Sequence, residues 1–473
     1  MGLGGLACGG NQGRAAERPN ILLVIGDDMT WSDCEPYGSP DVKTPNMARL
    51  AAEGVCFDAM FTGTAMCAPT RQQLYSGLHP VRSGAYPNHC WSYDGVRSLP
   101  HHLGALGYRV GLTGKRHFGP DECYPFETVG ELNDEPAPGG FGAVAEFVNR
   151  DAGQPYCLVV ASHQPHVAWD QGDPSAYPPD KLTVPPYLID CPYTRECLSR
   201  YYAEITYLDA QLGAALDVVE QSGRGENTMV IFTSEQGQQF PFGKWTCYDT
   251  GLRTAFIARW PGKVKPGSRL SAMTQYVDVV PTLVEAAGGA PDRIDTGCPD
   301  ANGKTGFDGR SFLAALLGQT DTHADCVFGV QTTRGIINGS DCYPIRSARS
   351  RRYKYIRNLS PEADFSSVLS DPKRDGHALQ WWKWAREHRE VMDRVRFFSR
   401  RPAEELYDLE ADPYELTNIA GQPAVAAAQA DLRERLDAWM AQQGDYGIGT
   451  EIKALERQAG YLRAHPDRNF RTA

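Results

Sequence analysis

Arg18-Pro19-Asn20-Ile21-Leu22-Leu23-Val24-Ile25-Gly26-Asp27-Asp28 combines an uninterrupted apolar run with an abrupt acidic end. The run Ile21–Ile25 has the length of a strand and none of the alternation of a half-wet one. A strand buried on both faces reads this way, and such strands belong to parallel sheets. Gly26 then hands the chain to two carboxylates. Ligand sites in open α/β sheets gather where strands give way to loops, which makes Asp27 and Asp28 candidate ligands.

Outward from that strand, Thr44 suits a helix N-cap and Pro45 a first helical position. Met47, Leu50 and Ala51 share a face, and Gly54 ends the helix. Val110–Leu112, Cys157–Ala161 and Met229–Phe232 read as further strands. Between the last two, Ile205, Leu208, Leu212, Leu216 and Val219 keep the spacing of a long amphipathic helix. Strands alternating with helices predict an α/β layered domain with a largely parallel central sheet. The tail differs. Tyr353–Ile356 and Leu406–Leu409 read as short strands, and a last helix near 424–442 sets Val425, Leu432, Leu436 and Trp439 on one side. The chain therefore divides into a Gly- and Ala-rich leader (1–17), a main domain (18–340) and a smaller C-terminal α+β subdomain (341–473).

Composition narrows the function classes. A 473-residue chain of net charge −11 is a poor nucleic-acid binder in general. No apolar run approaches the roughly 20 residues that span a bilayer. The leader lacks the basic start and apolar stretch of a complete signal peptide. Thirteen cysteines are scattered without a CxxC pair, so a structural zinc site is not expected. Cys191 and Cys197 are close enough in sequence to be bridged.

The stretch Cys67-Ala68-Pro69-Thr70-Arg71, followed by Gln72-Gln73-Leu74-Tyr75-Ser76-Gly77, carries the chemistry. Pro69 can open a helix, leaving Cys67 just ahead of an N-terminus that favours anions, with Arg71 about one turn on. Taken alone, the pattern fits a reactive cysteine beside an anion site. It fits equally a buried structural cysteine next to a surface arginine.

This stretch resembles the CxPxR signature of the type I sulfatases. Further segments in the same order strengthen the resemblance: Gly114-Lys115-Arg116-His117-Phe118-Gly119 is similar to a GKxHxG segment, and His163-Gln164-Pro165-His166 to HxPH. Phe232-Thr233-Ser234-Glu235-Gln236-Gly237 stands in the place of a second metal segment, with Lys244 beyond it. Asp278–Leu283, Phe307–Ser311, and Leu406–Leu409 with Asp412–Glu415 resemble later landmarks. The resemblance implies an alkaline-phosphatase-like fold, with the main domain as the catalytic one. It also implies conversion of Cys67 to formylglycine by a maturation enzyme. One hydroxyl of the hydrated aldehyde would attack sulfur, and the other would expel sulfate as the aldehyde re-forms.

On the same grounds, Asp27, Asp28, Glu235, Gln236 and the converted Cys67 would hold a divalent cation. An all-oxygen set suits calcium, with magnesium the alternative. Glu235-Gln236 departs from the usual Asp followed by Asn or His, each side chain being one methylene longer. Arg71, Lys115 and Lys244 would offset the acids and grip sulfate, His117 would serve the formylglycine, and His166 would protonate the leaving group.

Within the family, Gly114–Pro120, Tyr124-Pro125-Phe126, Tyr343–Ser347 and Ile356–Leu359 look closest to the heparan N-sulfatase (sulfamidase) branch. This implies a sulfated glycan partner carrying N-sulfate or O-sulfate, and names Arg346 and His89 as substrate contacts. Family habit implies a periplasmic, secreted or lysosomal location. Rival readings are a phosphonate or phosphate monoester hydrolase of the same superfamily and a non-catalytic glycan-binding homologue. Gln380-Trp381-Trp382-Lys383-Trp384 either stacks on sugar rings or packs its tryptophans at the subdomain junction.

Overall fold

The computed structural model describes residues 18–132, 138–371, 373 and 376–464, and the leader 1–17 lies outside them. The apolar run forms the strand Asn20–Gly26, buried along its whole length. It lies at the centre of an eight-stranded sheet. Its neighbours are Tyr156–Ala161 on one side and Thr228–Ser234 on the other, both parallel to it. Arg109–Gly114 continues the parallel set beyond Tyr156–Ala161. Phe256–Arg259 is antiparallel to Thr228–Ser234, so the sheet is largely but not wholly parallel.

The absence of alternation in Ile21–Ile25 has a direct cause, because both faces of the sheet are covered. Leu22 and Val24 join a core with Met47, Leu50, Leu208, Leu212 and Leu216. These come from the helices Pro45–Glu53 and Pro192–Gln221. Ile21, Leu23 and Ile25 join a second core with Leu74, Leu99, Leu103, Val280 and Leu283. Three layers result, with the sheet in the middle. Thr44 precedes the first helix, but its hydroxyl accepts from Glu35 N at 2.9 Å instead of capping. Cys191 and Cys197 are separate buried thiols, so the bridge allowed by their spacing is not formed.

The tail builds a four-stranded antiparallel sheet from Val327–Gln331, Ile345–Arg349, Tyr353–Asn358 and Glu404–Asp408. Its first strand lies before residue 340. One face packs Val330, Ala348, Tyr355 and Leu406 under Leu432, Leu436 and Trp439 of the helix Ala426–Gln443. The other brings Ile345, Ile356 and Tyr407 into the core of the main sheet. A further helix, Ile448–Ala464, follows.

Arg346 is part of this core and not a substrate contact. It is fully buried, forms an ion pair with Asp445, and its Nη2 donates to Asp445 Oδ1 at 3.0 Å. Its Nη1 donates to the backbone oxygens of Gln331 and Ile345. Removing one partner of such a pair strands the other in the interior. Arg346→Met is therefore expected to lower stability by about 3–5 kcal/mol in urea unfolding followed by tryptophan fluorescence. A loss below about 1 kcal/mol, the worth of an exposed pair, would contradict this assignment.

Candidate functional site

Four neighbouring parallel strands end at one level. Gly26 pairs with Ser234, Ile25 with Ala161, and Gly114 with Ala161. The next residues are Asp27-Asp28, Glu235-Gln236, the turn carrying His166, and Lys115-Arg116-His117. Backbone bonds tie these ends together: Glu235 N donates to Gly26 O at 3.0 Å, Asp27 N to Gln164 O at 2.8 Å, and Lys115 N to Ala161 O at 2.8 Å. The approach is close enough to demand glycine twice. A Cβ at Gly114, where φ is +83°, would meet Ala161 O at 2.0 Å, and one at Gly237 would meet Thr250 O at 1.8 Å.

Cys67 opens the helix Cys67–Ser76 instead of preceding it, and Pro69 lies inside the first turn. A proline there removes an N–H that has no helical partner anyway. The helix aims its positive end at the strand ends. Cys67 Sγ lies 3.8 Å from Asp27 Oδ1 and 3.9 Å from Asp28 Oδ1. Arg71, one turn on, is fully buried; it pairs with Glu235 and donates to Lys115 O at 3.2 Å.

The charges interlock. Lys115 pairs with Asp27, and Lys244 Nζ lies 2.7 Å from Asp28 Oδ2. His166 Nε2 is 3.7 Å from the same Asp28 oxygen, while its Nδ1 bonds Val167 O at 2.6 Å. Burial opposes the charged form of Asp27, but Lys115, Glu235, His166 and Arg71 together outweigh it and hold Asp27 well below the usual carboxylate range. Burial pushes Glu235 up to about 7, with Arg71 opposing and Asp27 adding. Burial also disfavours the charged forms of Lys115 and Lys244, but Asp27 with Cys67 and Glu235 raises Lys115, and Asp28 with Cys67, Asp27 and Glu235 raises Lys244, above the ordinary lysine range. The Cys67 thiol is pushed up by burial and by Glu235, so it stays protonated and is a poor nucleophile as it stands.

Asp27, Asp28, Cys67 and Glu235 each offer one ligand atom, and these atoms all lie within 4.8 Å of one another. Gln236 Nε2 donates to Asp28 Oδ1 at 2.6 Å and to Glu235 Oε1 at 3.0 Å. Its Oε1 is buried and finds no donor among the described residues. Exchanging the amide ends would turn that oxygen inward, an assignment that heavy-atom positions alone do not fix. Three carboxylates and an amide oxygen make a hard-donor set, and the residues present fit a calcium- or magnesium-type ion.

Cys67 opens onto a cavity of about 180 Å³ whose walls include His89, His117, His166, Lys115 and Lys244. His117 Nε2 bonds His89 Nδ1 at 2.8 Å. Its Nδ1 is buried without a hydrogen-bond partner among the described residues. Burial, then Lys115 and His89, keep His117 well below the ordinary histidine range, and burial with Lys115 lowers His89 to about 4. Burial and Lys244 lower His166.

The structure thus brings together every predicted site residue except Arg346. It adds walls that sequence reading missed: Asn88, Gln239 and Trp245 from the main domain, and Ile336, Ile337 and Val368 from the tail. Trp245 directly follows Lys244, whose Nζ lies 5.3 Å from its ring centre, so the flank of a candidate site lysine was the available signal.

The sulfatase family profile matches residues 19–134 and 141–290. The chain belongs to the sulfatase family. An ulvan-active sulfatase of Formosa agariphila is 32% identical over 443 residues, covering 91% of this chain and 81% of that protein. The human N-sulphoglucosamine sulphohydrolase is 28% identical, covering 94% and 95%. The solved structure of BT4656 with its substrate D-glucosamine-2-N,6-O-disulfate superposes with a TM-score of 0.67 at 20% identity, covering 91% of this chain and 99% of that one. The phosphonate monoester hydrolase of Agrobacterium radiobacter superposes with a TM-score of 0.66, also at 20% identity, covering 91% and 97%. The last two likenesses concern the fold. The sulfatase carries no described helix long and apolar enough to cross a membrane.

If the hard-donor set holds calcium, adding Ca²⁺ to chelator-treated protein raises its melting temperature. At a hundredfold excess over Kd the gain corresponds to about 2.7 kcal/mol. Glu235→Ala should remove most of that gain in differential scanning calorimetry. An identical shift in wild type and variant would show that the ion binds elsewhere.

Proposed function

We propose that this sulfatase removes sulfate from a sulfated carbohydrate, using formylglycine made from Cys67 and a divalent cation held by Asp27, Asp28, Glu235 and Gln236. The observation that carries this reading is the place of Cys67: at the positive end of a buried helix, under 4 Å from both acids, with Arg71 one turn behind. The buried, protonated thiol is a poor nucleophile, so hydrolysis there calls for a different group at position 67. The similarity to relatives named for ulvan and for N-sulphoglucosamine supports a carbohydrate.

When formed and bound, formylglycine supplies a geminal diol as nucleophile and the cation polarises it together with the sulfate oxygens. The remaining work belongs to the chain itself. Three carboxylates face three permanent cations around Cys67, so a divalent ion leaves the site positive and able to accept an anionic sulfate. Lys115 and Lys244, both in the cavity wall, bind sulfate oxygens and steady the charge that grows as the bond breaks. His117 is neutral, with an Nδ1 that has no partner among the described residues, and takes a proton from the residue at position 67. His166 donates Nδ1–H to Val167 O, which turns Nε2 toward the cavity; in the imidazolium form, which Asp28 at 3.7 Å favours, Nε2–H delivers its proton to the departing oxygen or nitrogen and the imidazole is left neutral.

Two measurements test this. Mass spectrometry of the peptide spanning Cys67 should show the thiol replaced by aldehyde or its hydrate after co-expression with a formylglycine-generating enzyme. Sulfate release should follow conversion and vanish in Cys67→Ala. Full conversion with turnover of an aryl phosphonate but no sulfated compound would reverse the assignment. His166→Ala should cost about 10²–10⁴ in kcat on a sugar sulfate and much less on nitrophenyl sulfate, whose leaving group needs no proton. Equal losses on both would remove the proton-donor role.

A further inference from the structure

The geometry points to a second binding site for an anionic sugar unit, in a groove formed by Trp382, Arg396, Arg400 and the Ser366–Ser370 segment, beside the catalytic cavity. It rests on the reading of the substrate as a sulfated carbohydrate and concerns a neighbouring residue of the same glycan chain.

The groove has a volume of about 460 Å³, and its walls include Phe365, Ser366, Ser370, Trp382, Arg396 and Arg400. That is room for one sugar ring with its substituents. It adjoins the chemistry through a shared wall: Val368 faces the catalytic cavity, while Ser366 and Ser370 in the same short segment face the groove. One short segment thus borders both, and a chain with one unit over Cys67 would pass Val368 to reach the groove.

The three tryptophans of the helix His377–Ala385 have separate fates. Trp381 is fully buried, its Nε1 donating to Thr194 Oγ1 at 3.0 Å, and it anchors the helix to the main domain. Trp384 stacks on His388 with ring centres 3.8 Å apart. Trp382 stays 37% exposed and lines the groove. A single exposed aromatic is ordinary by itself. The charges around this one give it meaning.

Residues 377–401 hold seven Lys and Arg against three acids, within a chain of net charge −11. Arg396 and Arg400 stand one turn apart at the end of the helix Met392–Ser399. Arg400 Nε lies 2.6 Å from Asp364 Oδ1, and Arg396 is 3.9 Å from Asp393. Both pairs are solvent-exposed, so trading them for an anionic ligand costs little. Guanidinium forks grip sulfate or carboxylate through paired N–H donors, and an indole face covers the apolar side of a sugar ring. Together they select an anionic carbohydrate over a neutral one.

The test is calorimetric titration with a heparin hexasaccharide and an ulvan oligosaccharide, each against its desulfated counterpart. Wild type should bind at least one sulfated form and hold it at least tenfold more tightly than the desulfated form. Trp382→Ala and, separately, Arg396→Gln/Arg400→Gln should each weaken that binding about tenfold. The arginine variant changes only exposed side chains, which guards against a folding defect in the tryptophan variant. Unchanged affinity in both variants, or no preference for the sulfated forms, overturns the inference. Nitrophenyl sulfate turnover by converted enzyme is measured alongside. Its absence would count against the proposed function, whereas turnover with unaltered oligosaccharide affinity would sink only the groove.

Discussion

Asp27, Asp28 and Glu235 are buried side by side, and a protein interior does not tolerate that without compensation. Isolated buried carboxylates would cost several kcal/mol each and would protonate instead. Here Lys115, Lys244 and Arg71 come from three different elements to meet them. The site is therefore also a structural junction: the Cys67 helix and the Lys115 and Lys244 loops are all held to the sheet by the same few charges. It cannot be assembled piecemeal.

What makes the junction possible is register. Parallel strands that start together end together, and short backbone bonds lock Gly26 to Glu235 and Ala161 to Lys115. Side chains from residues more than two hundred positions apart then meet with little loop to spare. Gly114 and Gly237 permit the approach, because any side chain there would collide with a neighbouring carbonyl.

Much of this was legible in the residues. The strand pattern follows from burial on both faces, which apolar continuity reports directly. Asp27, Asp28, Glu235 and Lys115 follow strand ends, which periodicity locates, whereas the roles of Cys67, Lys115 and Lys244 came from the resemblance of their segments to a family pattern. Arg346 shows the limit. Its motif is local, but its environment is set by Asp445, 99 positions away, and no spacing rule reveals such a partner. The helix Ile448–Ala464 escaped for a related reason: Ile448, Ile452 and Leu455 follow helical spacing yet are exposed, so the pattern does not announce a buried face. The groups around the cleft that were missed, such as Ile336, Ile337 and Val368, are ordinary apolar residues whose role comes from position alone.

Those three residues also separate two duties. The acids, Cys67, the lysines and the histidines all belong to the main sheet, its helices and the loops that leave them, while the tail adds Ile336, Ile337 and Val368 to an apolar lip begun by Val167 and Trp245. Insertions or exchanges in that lip can reshape what enters without disturbing a single charge around Cys67. A fold arranged this way can diversify among sulfated compounds by editing a rim, with its reactive apparatus inherited intact.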